Sequence, residues 1–193
     1  MSKHDQRAPL TFVICGAGGA GKGSIVARLV ELDETLWLSR SWTTREQRPG
    51  ESDNAYVYVS RDEFDQHIRQ GGFLEWAQFF ENRYGTPVPV APSGSDVVLE
   101  IDVQGALQVR EVDPAAVVVL VLPPNRSEQR RRMQRRGDTD DHVAKRLAKS
   151  DAEEDVGRVL ADLVVVNDDL DRTVAEVAEL IEGRRADCTP RPI

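Results

Sequence analysis

Cysteine and histidine are scarce in this 193-residue chain, and its basic residues are outnumbered by acidic ones. The two cysteines, Cys15 and Cys188, lie far apart, which excludes a disulfide framework. Cys15 sits inside an apolar run and reads as a small buried residue rather than a reactive thiol. His4, His67 and His142 have no metal-ligand company at suitable spacing and read as surface residues. Lys and Arg number 25 against 33 Asp and Glu, and the net charge of −8 argues against general nucleic-acid binding. A phosphorylated ligand must therefore meet a local basic patch. No apolar run reaches membrane-spanning length, and Met1 to Pro9 is polar with no signal-peptide core. The expected compartment is the cytoplasm. There is no internal repeat.

What the chain does have begins at Leu10. The apolar, β-branched run Leu10 to Cys15 predicts a buried strand of the parallel-sheet type. A turn follows, Gly16-Ala17-Gly18-Gly19-Ala20-Gly21, and then Lys22. Ile25, Val26, Leu29 and Val30 recur at helical spacing after it. A strand, a glycine turn and a helix with lysine in its first turn make a phosphate cradle. Backbone N–H groups converge on the anion, the helix N-terminus adds partial positive charge, and Lys22 adds a full one.

Further on, Leu36 to Trp42 predicts a short strand, and Thr43 to Ala55 a polar, turn-rich stretch holding Arg45 and Arg48. Tyr56 to Val59 reads as a strand, Arg61 to Gln70 as a short helix and Phe73 to Phe79 as another strand. Val97 to Asp102, Val117 to Leu122 and Leu163 to Val166 repeat the buried-strand pattern. Helices are expected over Gly105 to Val112, Ser127 to Arg136, Asp140 to about Leu160 and Leu170 to Arg185. Core strands alternating with helices imply an α/β fold with a parallel sheet covered on both faces, plus a small inserted α+β lobe. In such sheets ligands sit at the carboxyl ends of the strands, where Gly16 to Lys22, Ser41 to Arg48 and Glu100 to Asp102 all fall.

Four further groups carry chemistry. Ser41, Thr44, Arg45, Arg48, Tyr56 and Tyr84 could grip a second phosphate, arginine offering a planar fork of donors; the alternative is a solvated turn. Glu75 shares a strand face with Phe73, Ala77 and Phe79, an odd place for an unpaired carboxylate. Guanine has the matching edge, two adjacent donors at N1 and N2, and adenine does not; the alternative is an edge carboxylate reaching solvent. Glu100 and Asp102 at the end of the VVLEID strand are expected on one strand face beside the phosphate cradle, where two acids suit Mg²⁺ held through water. Arg126, Arg130, Arg131, Arg132, Arg135, Arg136 and Arg146 form a basic run. Either half of them are solvated and some pair with Glu128, or inward members neutralise a transferring phosphoryl group from a mobile cover.

Taken together, these segments resemble guanylate kinase. The pieces are GAGGAGKGS (16–24), SWTTREQRPGE (41–51), Tyr56 within YVYVS, FLEWAQF and RYGT (73–86), LEIDVQGA (99–106), LPP (122–124), RRGDT (135–139), KRL (145–147) and VVNDDLD (165–171). They stand in family order from about residue 10 to 183. The resemblance implies a P-loop kinase core (10–40 and 97–185), a GMP-binding lobe (41–95), a lid region (125–158) and a loose tail (186–193), within one domain over 1–193. It implies the reaction ATP + GMP ⇌ ADP + GDP with Mg²⁺. ATP phosphates would be held by Gly16, Ala17, Gly18, Gly19, Ala20, Gly21, Lys22, Gly23 and Ser24, with Asn167 lining the adenine site. Ser41, Arg45, Arg48, Tyr56 and Tyr84 would grip the GMP phosphate, while Glu75, Thr86 and Asp102 read the base. Lys22, Arg45, Arg132, Arg136 and Arg146 would serve the transferring phosphoryl group, and Ser24, Glu100 and Asp102 the metal.

The chain departs from the family pattern in four places. Gly23 stands where Ser or Thr is commonest, Glu100 replaces an aspartate, SDNA before Tyr56 is one residue short, and Pro87 to Ser95 is short and too proline-rich for a helix. Two other readings accompany the first: a P-loop kinase for another phosphorylated acceptor such as a sugar phosphate, and a catalytically inactive binding module of the same fold.

Overall fold

The computed structural model describes residues 8–188. Its centre is a five-stranded, wholly parallel sheet of β1 (Thr11–Cys15), β2 (Leu36–Ser39), β7 (Asp96–Glu100), β8 (Val117–Leu122) and β9 (Leu163–Val166). The order across the sheet is β2-β7-β1-β8-β9, so β1 lies between the strands that follow it to either side. Strand alternation splits the core into two layers. Phe12 and Ile14 face α1 (Lys22–Leu32) and α6 (Leu170–Asp187), while Val13, Cys15 and Leu99 face α3 (Val103–Val112) and the end of α5 (Asp140–Leu160). Burying each large side chain in these layers is worth about 1.5–3 kcal/mol. Cys15 is fully buried, which pushes its thiol up to about 12 and keeps it neutral.

A second sheet has the order β4-β3-β6-β5, formed by β3 (Trp42–Thr43), β4 (Val57–Tyr58), β5 (Phe73–Phe79) and β6 (Asn82–Pro87). Its helix, α2 (Arg61–Arg69), starts at a capping box in which Ser60 and Glu63 satisfy each other's backbone N–H groups. The last element to introduce is α4 (Arg126–Arg135), between β8 and α5.

Several sequence expectations change. The strand anticipated over 36–42 is two strands in different sheets, because the chain leaves β2 at Ser39 and re-pairs at Trp42 with β6. Residues 82–87 form a strand that their Gly, Pro and Arg content conceals. Asp102 does not share a strand face with Glu100: it caps α3, its Oδ1 accepting the Gly105 N–H at 2.8 Å. His67 is packed rather than superficial, stacked on Trp42 at 4.3 Å between ring centroids. Residues 186 and 187, expected in a loose tail, belong to α6, which runs to Asp187; residues 189–193, like the polar N-terminal residues 1–7 with His4, lie outside the described ones. Among the described residues no helix is long and apolar enough to cross a membrane.

The end of α6 is held by charge. Arg185 donates to Asp96 at 2.8 Å, Asp33 at 2.6 Å and Thr35 at 2.9 Å, and Asp96 also accepts the Leu10 N–H. This clamp ties the last helix to the entry points of β1, β2 and β7.

Candidate active site

β1 ends where the chain must turn sharply under β8. Gly16 adopts φ +141°, and a Cβ there would lie 2.3 Å from the Val121 carbonyl oxygen. Only glycine fits so close to another backbone. At the far end of the turn Gly21, with φ +99°, precedes α1 without any side-chain cap. The first N–H groups of α1 therefore stay available to an anion. Lys22 Nζ donates to Gly16 O at 2.7 Å, bracing the loop around itself. Burial pushes the Lys22 pKa below its ordinary value, and Glu100 and Asp102 work against that.

The loop is braced from three other elements. Gln129 of α4, completely buried, donates to Gly18 O at 2.9 Å and to Ser150 of α5 at 3.0 Å. Asn167, beyond β9, donates to Ala20 O at 2.9 Å. Arg132 donates to the same Ala20 oxygen at 3.1 Å and to Asn167 O at 2.9 Å, with Glu128 on its other side at 2.9 Å. The arginines assigned by resemblance to the phosphates thus divide. Arg132 is engaged with backbone carbonyls, whereas Arg146 and Arg136 reach over Gly18, where a Cβ would lie 2.6 Å and 3.3 Å from their guanidinium nitrogens. Burial and the like charge of Arg136 both push the Arg146 pKa down. Cations crowded in this way are relieved by an anion.

From this loop a cleft runs to the second sheet. Lys22, Glu100, Asp102, Arg136 and Arg146 line one end, and Ser41, Tyr56, Glu75 and Tyr84 the other. Glu75 is 6% exposed, and Thr86 Oγ1 donates to its Oε1 at 2.5 Å. Burial pushes its carboxyl up to about 7, against the lowering effect of the Thr86 bond. Burial likewise raises the Tyr56 hydroxyl and keeps it neutral.

Arg45 and Arg48 sit behind this wall rather than on it. Arg45 stacks over the Tyr56 ring at 5.5 Å and pairs with Glu51 at 2.8 Å. Burial tends to raise Glu51, but the Arg45 bond and the Arg48 amide overcome it and lower its pKa to about 2. Arg48 pairs with Asp138 at 2.7 Å, and Arg136 binds the other oxygen of that carboxylate at 2.6 Å. Asp138 was passed over in the sequence because a lone acid in an arginine-rich stretch carries no periodic signal. Glu153 was missed too: it lines the cleft, and its position seven residues after Arg146 on α5 was the available clue.

Parallel sheet, uncapped glycine loop and an arginine-crowded cleft at the strand ends define the class: a P-loop kinase. The guanylate kinase family model matches residues 8–184, and the chain belongs to that family. It is 42% identical over 179 residues to the guanylate kinase of Caldanaerobacter subterraneus subsp. tengcongensis, covering 89% of this chain and 86% of that one. The crystal structure of guanylate kinase from Anaplasma phagocytophilum superposes with a TM-score of 0.70 at 26% identity, covering 95% of this chain and 88% of the other. Shikimate kinase from Acinetobacter baumannii in complex with shikimate shares the fold, with a TM-score of 0.53, 12% identity and coverage of 94% and 98%.

Proposed function

We propose that the protein transfers the γ-phosphoryl group of ATP to GMP, and to dGMP, giving ADP and GDP. The observation that carries this is the continuity of the cleft: phosphate-seeking cations at one end, a buried carboxylate with a hydrogen-bonding threonine at the other. Gly16 to Ser24 hold the ATP phosphates through backbone N–H groups and Lys22, with Asn167 beside the adenine. Ser41, Arg45, Arg48, Tyr56 and Tyr84 hold the GMP phosphate, each arginine offering it the N–H donors that its carboxylate partner leaves free. Glu75, Thr86 and Asp102 accept or offer hydrogen bonds to guanine. Its N1–H and N2 amino group fit an ionised Glu75, and adenine would leave that charge buried and unmatched.

Phosphoryl transfer passes through a loose transition state with dispersed negative charge, so alignment and electrostatics dominate. Arg136 and Arg146, poised over Gly18, receive that charge. Arg132 acts indirectly, holding Ala20 and Asn167 in place. Residues 41–95 form the acceptor lobe and 125–158 the lid, and their approach over the cleft excludes water.

The donor set fits Mg²⁺: the Glu100 carboxylate faces the loop without a hydrogen-bond partner and lines the cleft with Asp102, and Ser24 follows in the first turn of α1. Among the described residues no three His, Cys, Asp or Glu side chains form a metal site by themselves, so these residues would hold the ion together with phosphate oxygens and water. When bound, the ion neutralises charge between the β- and γ-phosphates. This small-molecule chemistry suits the cytoplasm and needs neither nucleic acid nor membrane. The test offers ATP and Mg²⁺ with GMP, dGMP, AMP, CMP, UMP or a ribose phosphate and follows ADP release. Turnover confined to guanine nucleotides is expected; turnover with a sugar phosphate alone, or GMP binding without ADP, refutes the proposal.

A further inference from the structure

Gly23 stands in the first turn of α1 with no need for a glycine's freedom, since it is not among the residues of positive φ. Glycine inside a helix costs about 1 kcal/mol relative to alanine, so the position calls for a reason. The neighbour that faces it lies across the loop. A Cβ at residue 23 would fit in ordinary contact, 3.4 Å from both carboxylate oxygens of Glu100 and 3.7 Å from the carbon between them, so what the site would feel is the polar group of a longer side chain rather than its bulk. The carboxylate therefore turns both oxygens toward the bare start of the helix.

Glu100 is the last residue of β7, in register with Ile14 of β1, so its backbone is fixed by the parallel ladder. Its side chain is one methylene longer than aspartate, enough to carry the carboxylate over the turn that Gly23 leaves open. Lys22 and Arg136 act on it through space, yet Lys22 bonds to Gly16 O and Ala17 O, and Arg136 bonds to Asp138. Among the described residues no side chain gives Glu100 a hydrogen bond or an ion pair within 4 Å. A half-buried carboxylate left in that condition is costly unless a ligand completes it. A serine hydroxyl at 23 would lie within reach of the same oxygens and donate a hydrogen bond to them, engaging the carboxylate that glycine leaves free for a cation.

We propose that Gly23 and Glu100 form a matched pair in which the Glu100 carboxylate binds the divalent cation accompanying ATP directly, in place of a side-chain hydroxyl on the residue after Lys22. This rests on the reading of the loop as the ATP phosphate site. The helix start is left bare so that the longer acid can reach the metal. Two arrangements are then workable, a hydroxyl with a short acid or a glycine with a long one, and mixtures of the two are not.

The test uses Mn²⁺, read by electron paramagnetic resonance, titrated into the ADP-saturated protein, with ADP binding measured separately in EDTA by calorimetry. Glu100→Gln is expected to weaken Mn²⁺ binding roughly tenfold or more while leaving ADP affinity in EDTA within about twofold of native. Gly23→Ser and Glu100→Asp alone each weaken Mn²⁺ binding, and the double variant regains most of the loss. Native Mn²⁺ affinity in Glu100→Gln, a parallel loss of ADP binding in EDTA, or a double variant no better than Glu100→Asp overturns the proposal. Failure of the native chain itself to bind ADP in EDTA would instead bring down the reading of the loop.

Discussion

Arg48 and Asp138 pair behind the cleft wall, Nη2 to Oδ1 at 2.7 Å, joining the second sheet's loop to the segment between α4 and α5. Asp138 is buried, and its second oxygen holds Arg136. One carboxylate thus holds an arginine from each of the two phosphate grips proposed above. Asp138→Ala should lower stability by about 1–3 kcal/mol, the usual range for losing hydrogen bonds to charged groups. It should also reduce kcat/KM for GMP, because neither guanidinium is then held in place. Thermal unfolding and steady-state kinetics check the pair; native kinetics in a destabilised variant would confine Asp138 to a structural role.

If Glu75 reads guanine as proposed, the acceptor site should be pH-sensitive. Guanine's two donors need an ionised acceptor, and the free carboxyl titrates at about 7. KM for GMP should therefore rise as pH falls below about 7, and a flat profile between pH 6 and 8 would count against the assignment. The stability effect has the opposite sense. A folded pKa above the unfolded value of 4.5 means that the ionised group destabilises the fold above pH 7, a cost relieved as pH falls from 7 toward 4.5. Glu75→Gln should raise stability at pH 8 by about 1–3 kcal/mol while lowering the preference for GMP over AMP.

Gly21→Ala tests the loop itself. The new Cβ would lie 2.2 Å from Asn167 Nδ2 on a residue at φ +99°. Asn167 must then leave Ala20 O, and the turn loses its brace. ATP affinity should fall at least roughly tenfold, of the order expected when a group supporting a site is displaced. Calorimetric titration with ATP measures it, and an unaltered affinity would mean that the brace is dispensable.

Arg185→Ala separates fold from function. Its partners Asp33, Asp96 and Thr35 all lie at the amino-terminal ends of β2 and β7, the end of the main sheet away from the cleft, and Asp96 is buried. Removing the arginine should cost about 3–5 kcal/mol, the range for stripping one partner from a buried ion pair. KM for both nucleotides should remain unchanged where the variant stays folded. Chemical denaturation and kinetics at low temperature check both halves.

The main sheet was legible because strands buried on both faces must be apolar throughout, as at Phe12 to Cys15 and Val117 to Leu122. The glycine loop was legible because its conformational demands leave few alternatives to glycine. The second sheet was less so. Asn82 to Pro87 is a strand by virtue of pairing with β3 and β5, and no local preference of Arg83, Gly85 or Pro87 announces it. The destinations of charged side chains were harder still. Arg132 and Arg136 look alike in sequence, yet one ends on backbone carbonyls and the other over Gly18. Asp138 and Gln129 each reach a partner far off in sequence, 90 and 111 residues away, that no local pattern announces.

Cys15 lies at the root of the glycine loop, sealed from solvent and held in its neutral form, while Cys188 is exposed at the far end of α6. A maleimide dye should accordingly attach at a single position in the native protein without any engineered residue. Slow appearance of a second adduct would report the sheet coming apart, giving a clock for global opening that is independent of nucleotide turnover.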